Sequence, residues 1–494
     1  MSDSRSLGWP FIIALWLVAA VSVARYGPHL VSLLAVTVDD RGWPLTVDAM
    51  VADGWRPSVE FGYFYGLLTV AIDRAWFALC GRTPFAAAGL TVLGCAVLTH
   101  GLLRFARAAQ FGTWQRVVFV CAVPFAVMPL AYPTPLHAIE AALLVHALAS
   151  QAAGRLAAAL VFATLAVYIK PALGYFHGLA LVLLVLTGRG GAPDSWRERW
   201  RTFIPAAVVA VTLAVIFAAW FGIGPLLTTQ FPFRAMRNYG DENFGFFFGT
   251  GRAFWEPVGN QIRRYLLNPV GFWLIASGYL IVGAVRRVGR LRDPLAASVV
   301  TAAVLHVVFV ALLFGNEWSW LYYSALLVCG FCTTVGTNGE AEQGDWPIPL
   351  ALAVIAVAGM LVQSWYSIDF LNRWERSPAT AGLYADPGDS AAWQRWRALG
   401  TRQRVMVYAR TGGAAAVFPE LDSPRVWFLL RSTVTPMEVE RVHGQLRAAD
   451  YLIVAKADNY RPPDWPEFRA EMEHFTEVEQ SPSFRLLKRK PAVE

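Results

Sequence analysis

VDDRGWPLTVDAMVADGWRPSVEFGYFYGLL, residues 38–68, places Asp39, Asp40, Asp48, Asp53 and Glu60 directly behind an apolar run that ends at Val38. Carboxylates crowded at the end of such a run sit where water thins and charges meet. Both effects raise a carboxyl toward the working range of a general base. A solvated loop would carry the same acids with no such role, and chemistry alone leaves both readings open. The choice depends on what surrounds the stretch.

What surrounds it is apolar. The 494-residue chain is 56% hydrophobic and only 16% charged, with a mean hydropathy of +0.43. Soluble chains carry nearer a quarter charged residues, so this is the composition of a membrane protein. The 20 Trp and 31 Phe fit, because aromatic rings favour the membrane–water interface. Net charge is +7, yet the arginines stand between apolar segments and form no basic tract, which excludes nucleic acid as a partner. Cys80, Cys95, Cys121, Cys329 and Cys332 show neither a disulfide framework nor zinc spacing. Arg5 precedes the first apolar run without a small-residue cleavage site, so that run reads as a retained first helix.

A bilayer core of about 30 Å needs roughly 20 apolar residues per helix. On that measure the chain holds about eleven spans, near 11–36, 84–106, 116–131, 136–152, 155–170, 171–188, 202–222, 268–285, 295–314, 319–335 and 347–366. Arginine in short loops sets orientation. Arg104, Arg107 and Arg116 share one loop, Arg189, Arg197, Arg199 and Arg201 a second, and Arg286, Arg287, Arg290 and Arg292 a third. With the N-terminus in the cytoplasm all three fall inside, and an odd number of spans puts the C-terminus in the periplasm.

Residues 61–81 decide that parity. FGYFYGLLTVAIDRAWFALCG is long enough to span, but Asp73 and Arg74 sit in its middle. Each charge near the bilayer centre costs about 2.5–3.5 kcal/mol even on the lenient scale. The segment therefore reads as an amphipathic helix in the outer interface, its aromatic face among headgroups. The chain divides into a membrane part at 1–366, with outer loops at 37–83 and 223–267, and a C-terminal part at 367–494. In the latter, Val405–Tyr408, Val426–Leu430 and Tyr451–Ala455 read as buried strands, and Met437–Ala449 and Pro466–Phe475 as helices. A Pro-, Gly- and Ala-rich linker is expected near 377–392. The fold class is a polytopic α-helical membrane protein with a small extracytoplasmic α/β domain.

The opening stretch resembles the first outer loop of the GT-C glycosyltransferases, the superfamily of protein O-mannosyltransferases and lipid A aminoarabinose transferases. The matching residues are Asp39 and Asp40, then Gly54, Trp55, Arg56 and Pro57, then Glu60, then Tyr63 to Leu67. LAVYIKPALGY resembles the superfamily's Lys–Pro element and supplies Lys170 and Pro171, while GNEWSWLYYSALL resembles its late aromatic stretch, Trp318 to Tyr323. Two departures stand out: the acidic pair is Asp-Asp rather than Asp-Glu, and Glu60 replaces the usual Asp. The resemblance implies an inverting transferase that moves a sugar from a polyprenyl-phosphate donor to a glycan, lipid or protein acceptor. Asp40, Asp39 and Glu60 would be its catalytic acids. It implies donor-phosphate binding by Lys170 and substrate contacts from Tyr63, Tyr65, Trp318 and Tyr322; Arg234 and Arg237 join the phosphate site, and His137 the substrate contacts, on their places along the chain. No metal-ligand spacing appears; a divalent cation stays open as the one cofactor.

Each of these has a plainer account. Lys170 could be a lysine snorkelling from a helix end, and His137 a satisfied interfacial histidine. Arg234 and Arg237 lie in an outer loop where topology disfavours arginine, which argues for a use. His100, His146, His177 and His306 read as packing residues. Two rival functions remain. An O-antigen-type ligase on a pyrophosphate-linked donor would rely on the large late loop, whereas here the acids cluster in the first. A lipid-linked-sugar flippase would show half-to-half symmetry and charges near the midplane, which the sequence lacks. The excess of arginine over lysine hints at a GC-rich bacterium, and the expected location is its inner membrane.

Overall fold

The computed structural model describes residues 7–25, 27–38, 40–131, 135–171, 173–231, 269–313, 323–335, 373–409, 412–423, 434–456 and 465–491. Helix α1 (Trp9–Ala24) stops well short of the expected 11–36 span, and the chain continues as two short helices, α2 (Gly27–Leu30) and α3 (Leu33–Val38). The reason is local. Pro28 lacks the amide hydrogen that a continuous helix would donate to the Ala24 carbonyl, and its ring would clash with that carbonyl. A turn of 3-10 helix, Asp40–Gly42, leads into α4 (Trp43–Ala52).

Residues 61–66 run extended, and only then does α5 (Leu67–Cys80) begin. Fourteen residues rise about 21 Å, too little for a bilayer core. The aromatic side chains of the segment, however, turn inward rather than toward headgroups. Phe61 and Tyr63 are buried and form a core with Trp43, Met50, Tyr168 and Phe217, while Phe77 is buried in a second core with Leu45 and Trp393.

The apolar runs expected further along fold as helices: α6 (Pro84–Ala108), α7 (Thr113–Ala131), α8 (Pro135–Ala152), α9 (Leu156–Ile169), α10 (Leu173–Leu186), α11 (Trp196–Phe221), α12 (Ile223–Gln230), α13 (Pro269–Val285), α14 (Pro294–Leu313) and α15 (Ser324–Thr334). The α6 helix lies along α8, α8 along α9, and α9 between α10 and α11, while α7 packs between α1 and α15. Of the described helices, α6 and α11 are both long and apolar enough to cross a membrane. On α11 the valines at 208, 211 and 215 are 57%, 62% and 62% exposed, an apolar stripe suited to lipid. The run at 347–366 lies outside the described residues.

The C-terminal part opens with a two-stranded ribbon, β1 (Glu375–Arg376) and β2 (Tyr384–Ala385), then α16 (Pro387–Gly400). A helix thus begins inside the expected linker and takes up its residues from 387 on. Asp386 caps it by accepting from the Gly388 amide, and Pro387 fits its first turn. There follow β3 (Val405–Val407), α17 (Ala414–Val417), α18 (Pro436–Ala448), β4 (Tyr451–Ala455), α19 (Pro466–Met472), β5 (Phe475–Gln480) and β6 (Phe484–Arg489). The sheet order is β3-β4-β6-β5, with β3 parallel to β4 and the other pairs antiparallel. Phe475 therefore opens a strand instead of closing the preceding helix, and Val426–Leu430 lies outside the described residues.

This sheet does not stand apart from the first loop. Leu30, Val31, Leu33, Val36, Val38 and Leu45 share one core with Trp393, Trp396, Phe418 and Phe484. The Tyr384 amide donates to the Val31 carbonyl at 3.0 Å. Gly42 and Gly413 face each other so closely that a Cβ on Gly413 would fall 1.9 Å from the Val36 carbonyl oxygen.

Candidate functional site

The site is assembled where the extended 61–66 segment meets the end of α9. The Gly66 amide donates to the Ile169 carbonyl at 2.9 Å, and Thr69 Oγ1 donates to the same oxygen at 3.1 Å. Gly66 has to be glycine: a Cβ there would lie 1.9 Å from the Tyr168 carbonyl oxygen. This contact brings Tyr65 beside Lys170, the residue that ends α9, with the ammonium 5.8 Å from the ring centre.

Lys170 does not snorkel. Its side chain is 18% exposed, and Nζ donates to the Tyr323 hydroxyl at 3.4 Å. Tyr323 in turn donates to Glu140 Oε2 at 2.5 Å, and the ammonium stands 4.0 Å from that carboxylate. Glu140 is fully buried on α8, one helical turn after His137, whose ring meets the edge of Tyr65 at 6.4 Å. Lys170, Tyr323 and Glu140 thus form a relay of hydrogen bonds from three distant segments. Low surrounding polarity strengthens each of these bonds.

The loop side is aromatic. Trp43 stacks on Tyr63 at 6.3 Å between centroids, and Tyr63 meets Tyr65 edge-on at 6.2 Å. The turn that begins at Asp40 runs straight into Trp43, so Asp40 and the aromatic wall are neighbours in the chain. The Asp39 residue and the Asp40 side chain lie outside the described residues, as do Arg234, Arg237, Trp318 and Tyr322.

Two acids have settled partners. Glu60 accepts from the Arg56 amide at 2.7 Å and from its guanidinium at 2.9 Å. Partial burial works to raise the Glu60 carboxyl, but these bonds and the Arg56 charge outweigh it and hold it below its ordinary value. Asp48 is buried on α4 and accepts from Arg74 at 3.0 Å and Arg82 at 2.6 Å, which ties α4 to α5 and to the turn after it. Asp73, also buried, lines a cavity of about 10 Å³ with Trp43, Val47, Tyr63, Tyr65, Thr69 and Leu136. That is room for about one water. Burial first, and the Asp48 charge second, push the Asp73 carboxyl well above its ordinary value.

Sequence reasoning did not count Glu140 or Asp73 among the site residues, and it missed the pairing of Asp48. Glu140 carried a signal: a carboxylate one turn inside an apolar run must find a partner. Of the remaining histidines, His146 bonds Arg104 at 2.9 Å and His306 bonds Ser277 at 2.8 Å, both away from this site. Among the described residues no three His, Cys, Asp or Glu side chains gather as a metal site.

No family model and no curated protein matches the chain. Solved structures do. ArnT from Cupriavidus metallidurans bound to undecaprenyl phosphate aligns over 99% of this chain and 99% of its own, with a TM-score of 0.54 and 13% identity. The apo state of the same protein aligns over 96% and 97%, with a TM-score of 0.52 and 13% identity. The chain shares the fold of this ArnT. At 99% coverage the alignment takes in both the helical bundle and the C-terminal sheet. That architecture is mostly helical and suits a membrane location.

Proposed function

We propose that this GT-C chain is an inverting glycosyltransferase of the bacterial inner membrane, drawing on a polyprenyl-phosphate sugar and delivering to a periplasmic glycan, lipid or protein. The observation that carries it is the whole-length likeness to ArnT bound to undecaprenyl phosphate. It is supported by a half-buried lysine at the end of α9, beside the first-loop Tyr65. About eleven spans, a cytoplasmic N-terminus and a periplasmic tail belong to the same reading.

In this reading an acceptor hydroxyl attacks the anomeric carbon from the face opposite the phosphate. Asp40, or Asp39 beside it, takes the hydroxyl proton as the new C–O bond forms. The bond to the phosphate oxygen breaks, and the polyprenyl phosphate leaves with the electron pair. Lys170, Arg234 and Arg237 hold that phosphate, with charge-assisted hydrogen bonds that strengthen as negative charge develops. Lys170 arrives already paired, so the phosphate competes with Glu140 for its ammonium. Tyr63 and Tyr65 form the wall against which a sugar ring would rest, with His137, Trp318 and Tyr322 assigned to the substrate as well.

Transfer of radiolabelled sugar from a polyprenyl-phosphate donor tests the proposal. Asp40→Asn or Asp39→Asn is expected to reduce turnover at least about a hundredfold, the lower end for removing a general base. Wild-type turnover in both variants would remove the catalytic assignment.

A further inference from the structure

On α18, Glu438 is 1% exposed, and its Oε2 accepts from the Thr435 amide at 2.7 Å and the Thr435 hydroxyl at 3.1 Å. The first of these, together with the Glu438 amide donating to Thr435 Oγ1 at 3.2 Å, makes the capping box of the helix. Glu438 Oε2 also accepts from the Gly62 amide at 2.8 Å, across 376 residues of sequence. The cap does not need this third bond. Arg441, three residues further along the same helix, stands 4.1 Å from the Trp55 ring centre. Two side chains on one helical face therefore grip the two ends of segment 55–62. The next residue is Tyr63, which stacks on Trp43 and touches Tyr65.

We propose that the C-terminal part is built into the candidate site, with Glu438 and Arg441 as positioning residues that hold the first loop. What the held loop does rests on the transferase reading; that it is held does not. An appended module would need only surface contacts, such as those of a domain on a linker. Here a buried carboxylate is committed to a loop amide, and Gly42 and Gly413 touch backbone to backbone a short way off. The aromatic wall therefore takes its place from a helix at the far end of the chain.

Hydrogen exchange read by mass spectrometry on the full-length chain in detergent micelles tests this without any substrate. Glu438→Ala is expected to speed exchange in the peptide covering 56–66 by about tenfold or more, the effect of losing a hydrogen bond to a charged group. Arg441→Ala should speed it less, and Glu440→Ala, an exposed neighbour on the same helix, should leave it unchanged. Should Glu438→Ala unfold α18 altogether, Arg441→Ala, which keeps the cap intact, decides. Loop exchange within twofold of wild type in both variants overturns the proposal. A loosened loop that still transfers sugar at the wild-type rate overturns the positioning role. Absence of transfer in the wild type would sink the transferase reading while the exchange result stood.

Discussion

Gly66→Ala tests the junction on which the site is built. The new Cβ would lie 1.9 Å from the Tyr168 carbonyl oxygen and 2.2 Å from its carbon. Non-bonded heavy atoms settle near about 3.5 Å, so the loop and the end of α9 must part by at least about 1 Å. The Gly66 amide bond to Ile169, now 2.9 Å, then passes beyond hydrogen-bond reach. A buried amide left without its partner costs about 1–3 kcal/mol. Overpacking costs typically about 1–3 kcal/mol more. Together the loss is about 2–6 kcal/mol, and Tyr65 is carried away from Lys170. A displacement of that size at a reacting centre can cost about a hundredfold in rate. Thermal unfolding in micelles and the sugar-transfer assay should both fall. Gly178→Ala on α10, where a Cβ meets nothing within 4 Å, is the control and should be neutral. A Gly66→Ala protein with wild-type melting and turnover within twofold would refute the argument.

Asp48→Ala should destabilise the α4–α5 pair by about 3–5 kcal/mol, because it removes a buried carboxylate from Arg74 and Arg82. Arg74 and Arg82 are each about a third exposed and can regain water, so the lower end is expected; a loss under 1 kcal/mol in denaturant unfolding would show the pair is idle. The Glu438 carboxyl is pushed up to about 7, first by burial, against the hydrogen bonds from Thr435 and Gly62 and the Arg441 charge. A carboxyl raised in the folded state makes stability fall as pH climbs from its unfolded value of 4.5 toward 7, and the penalty is full above that. Relative to wild type, Glu438→Gln should therefore gain about 2–3 kcal/mol between pH 5 and pH 8, and a pH-independent difference would count against the buried charge. A fluorescent protein that matures only in the cytoplasm, fused after Glu494, should stay dark; a bright fusion would reverse the proposed orientation.

The sequence disclosed most about what is local and apolar. Runs such as 84–106 and 202–222 became helices because length and hydrophobicity suffice to place them. The break after Ala24 was also local, written in Gly27–Pro28, and was overridden by the hydrophobicity of the whole run. The helix from Pro387 was missed because proline, glycine and alanine suggested a linker. Yet Asp386 before Pro387, with Trp393 and Trp396 on one face, spells a capped, half-buried helix. For the site, the motif order pointed to the first loop and Lys170, and these are adjacent. Glu140, Tyr323 and Lys170 meet from positions 30 and 153 residues apart around the lysine, and nothing along the chain signals such a meeting. Asp48 looked like one acid among five until Arg74 and Arg82 closed on it.

The bond between Gly62 and Glu438 also sets a schedule. The loop leaves the ribosome 376 residues before its anchor does. At about 5–20 residues per second, that interval is about 20–75 s. Throughout it the bundle can insert while the aromatic wall lacks its brace. Chains cut short by a late nonsense codon would stay in that unfinished state, inserted in the membrane with the loop unheld. Quality control that reads the looseness of this loop would therefore be reading whether translation had passed α18.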